Sequence, residues 1–217
     1  MLLLAVDTAT PAVTVALHDG DSVVAETTRV DARRHGELLL PLIDETLRSA
    51  GRKLDAVTGL VVGVGPGPYT GLRVGLATAE TFAFALGVPV HGLCTLDALA
   101  YATELDGPFA VATDARRKEV YWARYDDART RTTEPAVDRP AEIAASLAGL
   151  PVVGAGALLY PEAFPDAREP ENVAASALAS LAAEKLAAGS DFLPPLPLYL
   201  RRPDAQVPKN YKVVTPK

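Results

Sequence analysis

Along the first third of the chain, apolar and polar residues alternate in short blocks. Leu2, Leu3, Leu4, Ala5 and Val6 run unbroken to Asp7. Val13-Thr-Val-Ala-Leu17 and Ser22-Val-Val-Ala25 follow, separated by Thr8-Ala-Thr-Pro11 and His18-Asp-Gly-Asp21. Apolar runs bounded by turn residues predict three strands in a meander. Over 36–50 the period changes. Leu39, Ile43, Leu47 and Ala50 recur at helical spacing while Leu38 and Leu42 line a neighbouring stripe, which predicts a helix with more than one apolar face. Leu60-Val-Val-Gly-Val64 is the continuous run of a strand buried on both sides, and it enters Gly65-Pro-Gly-Pro-Tyr-Thr-Gly71. A second helix is predicted over 72–86, stopped by Gly87 with Pro89 beyond it. A strand over 88–93 and a helix over 96–103, capped by Thr95, complete the first half.

After Asp106-Gly-Pro108 the same grammar restarts. Asp7, Val13, Ala16 and Asp19 fall on Asp114, Val120, Ala123 and Asp126 at a constant offset of 107, and Val61-Val-Gly-Val-Gly65 is echoed by Val152-Val-Gly-Ala-Gly156 at an offset of 91. Two echoes in the same order indicate an internal duplication. The expected architecture is α/β, with two lobes over 1–105 and 106–217 facing each other across a cleft. Helices are predicted over 140–150 and 173–188, and prolines from Leu193 onward imply an extended tail. Its end, 201–217, holds five basic residues against Asp204 and reads as a solvated segment.

Composition narrows the function classes. With 217 residues, 49% of them apolar, the chain can bury a sizeable core, which excludes a disordered protein. Its net charge of −6 is the wrong sign for gripping nucleic acid unaided; an RNA substrate would be held by a partner. The single cysteine, Cys94, rules out an intrachain disulfide and reads as an inert core residue. His18, His35 and His91 lack the i, i+4 spacing of a helical metal site and read as surface or capping residues. The run before Asp7 lacks a basic signal-peptide start, and no stretch approaches the ~20 apolar residues of a membrane span. A cytoplasmic, membrane-free protein is expected.

The chemistry is sparse. Gly63, Gly65, Gly67, Gly71 and Gly75 crowd a strand-to-helix junction, a place where an anion can bind. Yet Pro68 stands where a dinucleotide fingerprint needs glycine, no Gly-Lys pair exists for a Walker A loop, and Pro66 and Pro68 remove two amide donors. A stiff turn allowing close helix–strand packing is the stronger reading. Asp7 and Asp114 end paired first strands, where two carboxylates can organise a magnesium-bound nucleotide, but the turns beside them contain no glycine. Asp7, Thr8, Asp114, Gly154 and Gly156 are therefore read as a vestigial nucleotide cleft. No cofactor is expected, with weak or interfacial nucleotide binding as the alternative. No Gly-x-Ser-x-Gly elbow is present. Leu38, Leu39, Leu42, Leu72, Leu76 and Phe82 offer more apolar surface than one buried helix face needs; the domain's own core is the default place for them, and an interface between this helix pair and a like-built partner is the alternative.

Three runs, Gly63-Val-Gly-Pro-Gly-Pro-Tyr-Thr-Gly-Leu-Arg-Val-Gly75, Asp114-Ala-Arg-Arg-Lys-Glu-Val-Tyr-Trp-Ala123 and Pro197-Leu-Tyr-Leu-Arg201, together resemble the TsaB (YeaZ) family over nearly the whole chain. The resemblance implies a duplicated actin/Hsp70-like (ASKHA, ribonuclease H-like) fold. It also implies a non-catalytic subunit that binds and activates TsaD, the catalytic paralogue that transfers threonylcarbamoyl to the tRNA adenosine beside the anticodon. TsaE, a small ATPase, completes the set. Family members pair through the helices matching 36–50 and 72–86, self-associate as homodimers when alone, and meet tRNA only indirectly. TsaD carries a metal-binding His-x-x-x-His where this chain has Cys94-Thr-Leu-Asp-Ala-Leu99, a departure that argues against TsaD itself. The rival expectation is a stand-alone actin-like ATPase or phosphotransferase built on Asp7, Asp114 and the glycine loop.

Overall fold

A computed structural model describes residues 1–201; of the basic tail over 201–217 only Arg201 falls within them, and the rest lies outside the described residues. The first sheet opens with the expected meander, β1 (Leu3–Asp7), β2 (Ala12–His18) and β3 (Val23–Val30), and continues with β4 (Gly59–Gly63) and β5 (Val90–Leu93), in the order β3-β2-β1-β4-β5. β4 runs parallel to β1, and β5 parallel to β4. The second sheet uses β6 (Phe109–Asp114), β7 (Val120–Asp127), β8 (Thr130–Arg131), β10 (Val152–Val153) and β11 (Ala167–Arg168) in the order β11-β10-β6-β7-β8, with β9 (Ala136–Asp138) also pairing with β7. Each sheet thus has an antiparallel meander on one side of its first strand and parallel crossover strands on the other. This repetition is the duplicated actin-like fold.

Alternation along the strands divides the core. Leu4, Val6, Val15, Leu17 and Val62 face outward from the first sheet and are covered by α1 (His35–Ser49) and α2 (Tyr69–Leu86). Leu3, Ala5 and Val61 face inward and share one core with Phe109, Val111 and Val153 of the second sheet, through α3 (Thr95–Tyr101) and α6 (Ala175–Ala187). α4 (Pro140–Ile143) and α5 (Ala155–Leu159) belong to the outer layer of the second sheet, where Ile143 and Ala157 pack with Ala110, Ala112 and Val152. α6 is the last helix among the described residues, yet it lies on the first sheet, anchored where the Ala175 amide donates to Thr14 Oγ1 at 3.0 Å.

Several expectations shift locally. α2 starts at Tyr69, three residues before the predicted start, because Pro68 is an N-cap residue whose fixed φ of −61° suits helix entry. The helix expected over 140–150 is α-helical only to Ile143; beyond it the Ser146 and Leu150 amides bond carbonyls three residues back, and the chain proceeds in turns. Thr95 does not cap α3: Cys94 occupies the cap, and the Thr95 hydroxyl is used elsewhere. After α6 the chain forms a strap. Leu193 pairs with Gly92 of β5, the Leu198 amide donates to Val64 O at 2.8 Å, and Arg201 reaches the β6–β7 turn, pairing with Glu119 and donating to Arg116 O.

Candidate functional site: a filled cleft and an exposed helix pair

The end of β1 is occupied by the chain itself. Asp7 is fully buried: its Oδ1 accepts the Ala9 amide at 2.7 Å, and its Oδ2 accepts the Thr95 hydroxyl at 2.7 Å. Thr95 Oγ1 in turn accepts the Gly65 amide at 3.2 Å. The Asp7 carboxylate lies against the Cα of Gly63, where any Cβ would overlap it. Next to it, the Thr8 hydroxyl donates to Gly71 O at 2.7 Å, and Gly71 presses its backbone against Thr8 O. The glycine loop is therefore a packing device that brings α2 onto the β1–β2 turn, as the stiff-turn reading expects.

Burial pushes the Asp7 carboxyl up to about 6, with the Thr95 and Ala9 hydrogen bonds opposing. An acid whose folded pKa lies above its unfolded value of 3.8 contributes stability fully present below about pH 4 and lost as pH rises through about 6. In urea unfolding, wild type and Asp7→Asn are expected to differ in their pH dependence across that window by on the order of 3 kcal/mol, wild type losing stability as pH rises. Parallel curves would show that Asp7 does not titrate in this range.

Pleat parity separates the two carboxylates. Leu3 and Ala5 face the shared core and so do Phe109 and Val111, so the counterpart of Asp7 is Thr113, and Asp114 lies one residue further on. A one-residue step reverses the face. Asp114 is bound to Arg116, whose amide donates to it at 2.8 Å and whose guanidinium lies at 3.2 Å. The cleft between the lobes, about 250 Å³, is lined by Thr10, His35, Thr70, Asp114, Arg116 and Glu171 among others. Of the five residues assigned to a vestigial nucleotide site, Asp114 alone lines it. Asp7 and Thr8 are sealed beneath the glycine loop, while Gly154 and Gly156 hold α5 against Ala112 of β6. Small-molecule pockets commonly have about 300–1,000 Å³. The residues present do not fit a magnesium nucleotide clamped by two carboxylates.

Other titratable groups are committed to packing. Burial pushes the Cys94 thiol up to about 12, in keeping with an inert core residue. His18 and His35, expected as surface or capping residues, are buried; His18 caps its turn, Nδ1 accepting the Gly20 amide at 3.0 Å, and His35 Nε2 meets Thr10 O at 2.8 Å. Asp97 takes the Tyr125 hydroxyl at 2.8 Å and Arg131 at 3.0 Å, linking α3 to the second sheet. Among the described residues, no three His, Cys, Asp or Glu side chains are grouped to hold a metal.

The apolar surface lies on α1 and α2, but at different residues from those predicted. Leu39, Leu42, Leu72 and Leu76 are buried in the chain's own outer core, and Leu38 and Phe82 are partly buried against it. These six therefore stabilise the monomer first. What the helices leave to solvent is a stripe of Thr70, Ala77, Thr81 and Phe84 at i, i+7, i+11 and i+14, with half-buried Val74 at i+4 and Leu40 exposed on α1. Phe84 is 93% exposed and Leu40 54%. Phe84 is the most exposed large apolar side chain among the described residues. α2 is apolar nearly all round, so periodicity could not single out Phe84; its 3.5-residue spacing from Val74, Ala77 and Thr81 was the available signal.

Comparison with known proteins now has a geometry to match. A family model described as "TsaD: tRNA N6-adenosine threonylcarbamoyltransferase" matches residues 23–190. The solved structure of YeaZ from Pseudomonas aeruginosa superimposes with a TM-score of 0.77 at 31% identity, covering 92% of this chain and 100% of that one. The chain belongs to the TsaB (YeaZ) family. An uncharacterized protein of Mycobacterium tuberculosis is 44% identical over 211 residues, 94% of this chain and 93% of its own length. The Escherichia coli "tRNA threonylcarbamoyladenosine biosynthesis protein TsaB" is 38% identical over 128 residues, 58% of this chain and 55% of that protein. Similarity to both TsaB and the TsaD model fits a paralogous pair built on one duplicated fold.

Proposed function

We propose that this chain is a non-catalytic subunit that binds and activates TsaD for threonylcarbamoylation of the tRNA adenosine beside the anticodon. The observation that carries the reading is the exposed stripe ending at Phe84, on the helix pair that covers the first sheet. A like-built partner presenting the same two helices would complete a four-helix layer, with Ala77 and Gly36 small enough for close approach. Without TsaD, the same face would pair two copies of the chain. The sealed Asp7 and the Arg116-bound Asp114 support an accessory role. The chain would work in the cytoplasm beside TsaD and the ATPase TsaE.

The test is reconstitution with TsaD from the same organism, TsaE, tRNA, ATP and a threonylcarbamoyl donor, reading modified adenosine. Modification should appear only when this chain is present, and the chain alone should turn over neither tRNA nor ATP. Full modification in its absence would overturn the reading. Magnesium-dependent ATP turnover by the chain alone, lost in Asp7→Ala, would point to a stand-alone ATPase instead.

A further inference from the structure

The expectation that RNA reaches this chain only through a partner rested on overall charge, and one surface has the opposite sign. Tyr69 at the start of α2 and Tyr199 of the strap stack with ring centroids 5.3 Å apart and planes inclined by 24°, and both are exposed, at 57% and 44%. The Arg73 guanidinium lies 5.1 Å from the Tyr69 centroid and donates to its hydroxyl at 2.7 Å. Two residues past Tyr199, Arg201 docks on the β6–β7 turn at Arg116 O and Glu119. In that turn Arg116, Arg117 and Lys118 all adopt left-handed backbone, with φ of 60°, 56° and 63°, and all are exposed.

Three consecutive non-glycine residues in this region are sterically disfavoured, and such conformations concentrate at functional sites. The turn carries three exposed basic residues in succession, of which Arg116 lines the cleft, and Arg201 ties it to the strap that bears Tyr199. Arg73, Arg116, Arg117, Lys118 and Arg201 stand against Asp114 and Glu119, each paired with an arginine, and Glu171, which lines the cleft with Arg116. Local charge is therefore positive on a chain of net charge −6.

We propose that the Tyr69–Tyr199 stack and the basic β6–β7 turn form a contact site for a single-stranded RNA loop, an unpaired base stacking on Tyr199 while the turn meets the flanking phosphates. Exposed aromatic faces beside guanidinium groups are how proteins hold unstacked bases, and phosphate contacts supply the salt-dependent part of affinity. RNA is chosen over a protein partner because the surface combines a π face with clustered cations, with Leu196 as the exposed aliphatic neighbour on the strap. The proposal rests on the tRNA-modification reading for its substrate class.

The test is fluorescence anisotropy with an RNA hairpin carrying an unpaired, adenine-containing loop, titrated with the full chain alone and with its TsaD complex. Tyr199→Ala should weaken binding by roughly five- to 100-fold and Tyr199→Phe by little, since the π face carries the contact. Lys118→Gln should lower the slope of log affinity against log salt by about one. Association with TsaD, measured in parallel, should be unchanged in all three. No RNA binding in either form, or unaltered affinity and salt slope in the variants, would overturn the proposal. Variants that lose TsaD but keep RNA would also overturn it, marking the surface as a protein contact. A chain that binds no TsaD yet shows the Tyr199 and Lys118 effects would sink the subunit reading and leave the RNA site standing.

Discussion

Phe84→Glu is expected to weaken association with TsaD by about 100-fold, the effect of losing a central aromatic anchor and burying an unpaired charge in its place. The melting temperature of the isolated chain should stay within about 2 °C of wild type, because a side chain 93% exposed contributes little to the monomer. Leu76→Glu should behave in the opposite way. Leu76 sits in the outer core beneath α2 at 5% exposure, and a carboxylate there has no partner. Destabilisation of more than about 4 kcal/mol is expected, enough to unfold much of the population. Calorimetry on each variant, with mass photometry of Phe84→Glu mixed with TsaD, separates interface from core. Wild-type association by Phe84→Glu would show that the partner meets another face.

Gly63→Ala should destabilise the chain by at least about 3 kcal/mol and lower its melting temperature by roughly 6–12 °C. The added methyl would overlap the Asp7 carboxylate, and neither group can retreat: Asp7 is held by Ala9 and Thr95, and Gly63 lies in a strand paired with β5 on one side, its neighbours paired with β1 on the other. The steric cause has a signature. In the double variant Gly63→Ala/Asp7→Gly the clash disappears, so the combined loss should be smaller than the sum of the single losses by more than about 1 kcal/mol. Additive losses would mean that Gly63 is needed for its backbone freedom and not for the space it leaves.

The duplication was legible in the chain because Asp-terminated apolar runs and glycine-bounded strands recur in order, and the two sheets repeat one strand order. Its fine alignment was not. Matching Asp7 to Asp114 is off by one residue once core membership is considered, since Leu3 and Ala5 share a core with Phe109 and Val111. With a side-chain period of two, that slip turns a supposed pair of cleft carboxylates into one sealed beneath the glycine loop and one that lines the cleft bound to Arg116. The glycine loop was read correctly as packing, because prolines remove the amides that a phosphate cradle would need. What it packs around, Asp7 held by a threonine 88 residues away, has no local signal.

The two helices show the same division. Leucine spacing established that α1 and α2 exist and have broad apolar faces, and the excess was real, but Leu39, Leu42, Leu72 and Leu76 went to the monomer core while Leu40 and Phe84 stayed outside. Periodicity says which residues share a helix face; only the sheet beneath decides which face is inside. The stack of Tyr69 on Tyr199 beside the left-handed basic turn joins three distant segments, so no window of sequence could contain it. By itself, the sequence determined the repeated strand–helix grammar, the family and a stiff glycine–proline turn between β4 and α2, because these rest on local patterns of apolar, glycine and proline residues. Tertiary structure alone decided which apolar side chains face water, where each carboxylate points and which cations gather, because burial and long-range approach depend on how the two sheets and the returning helix pack together.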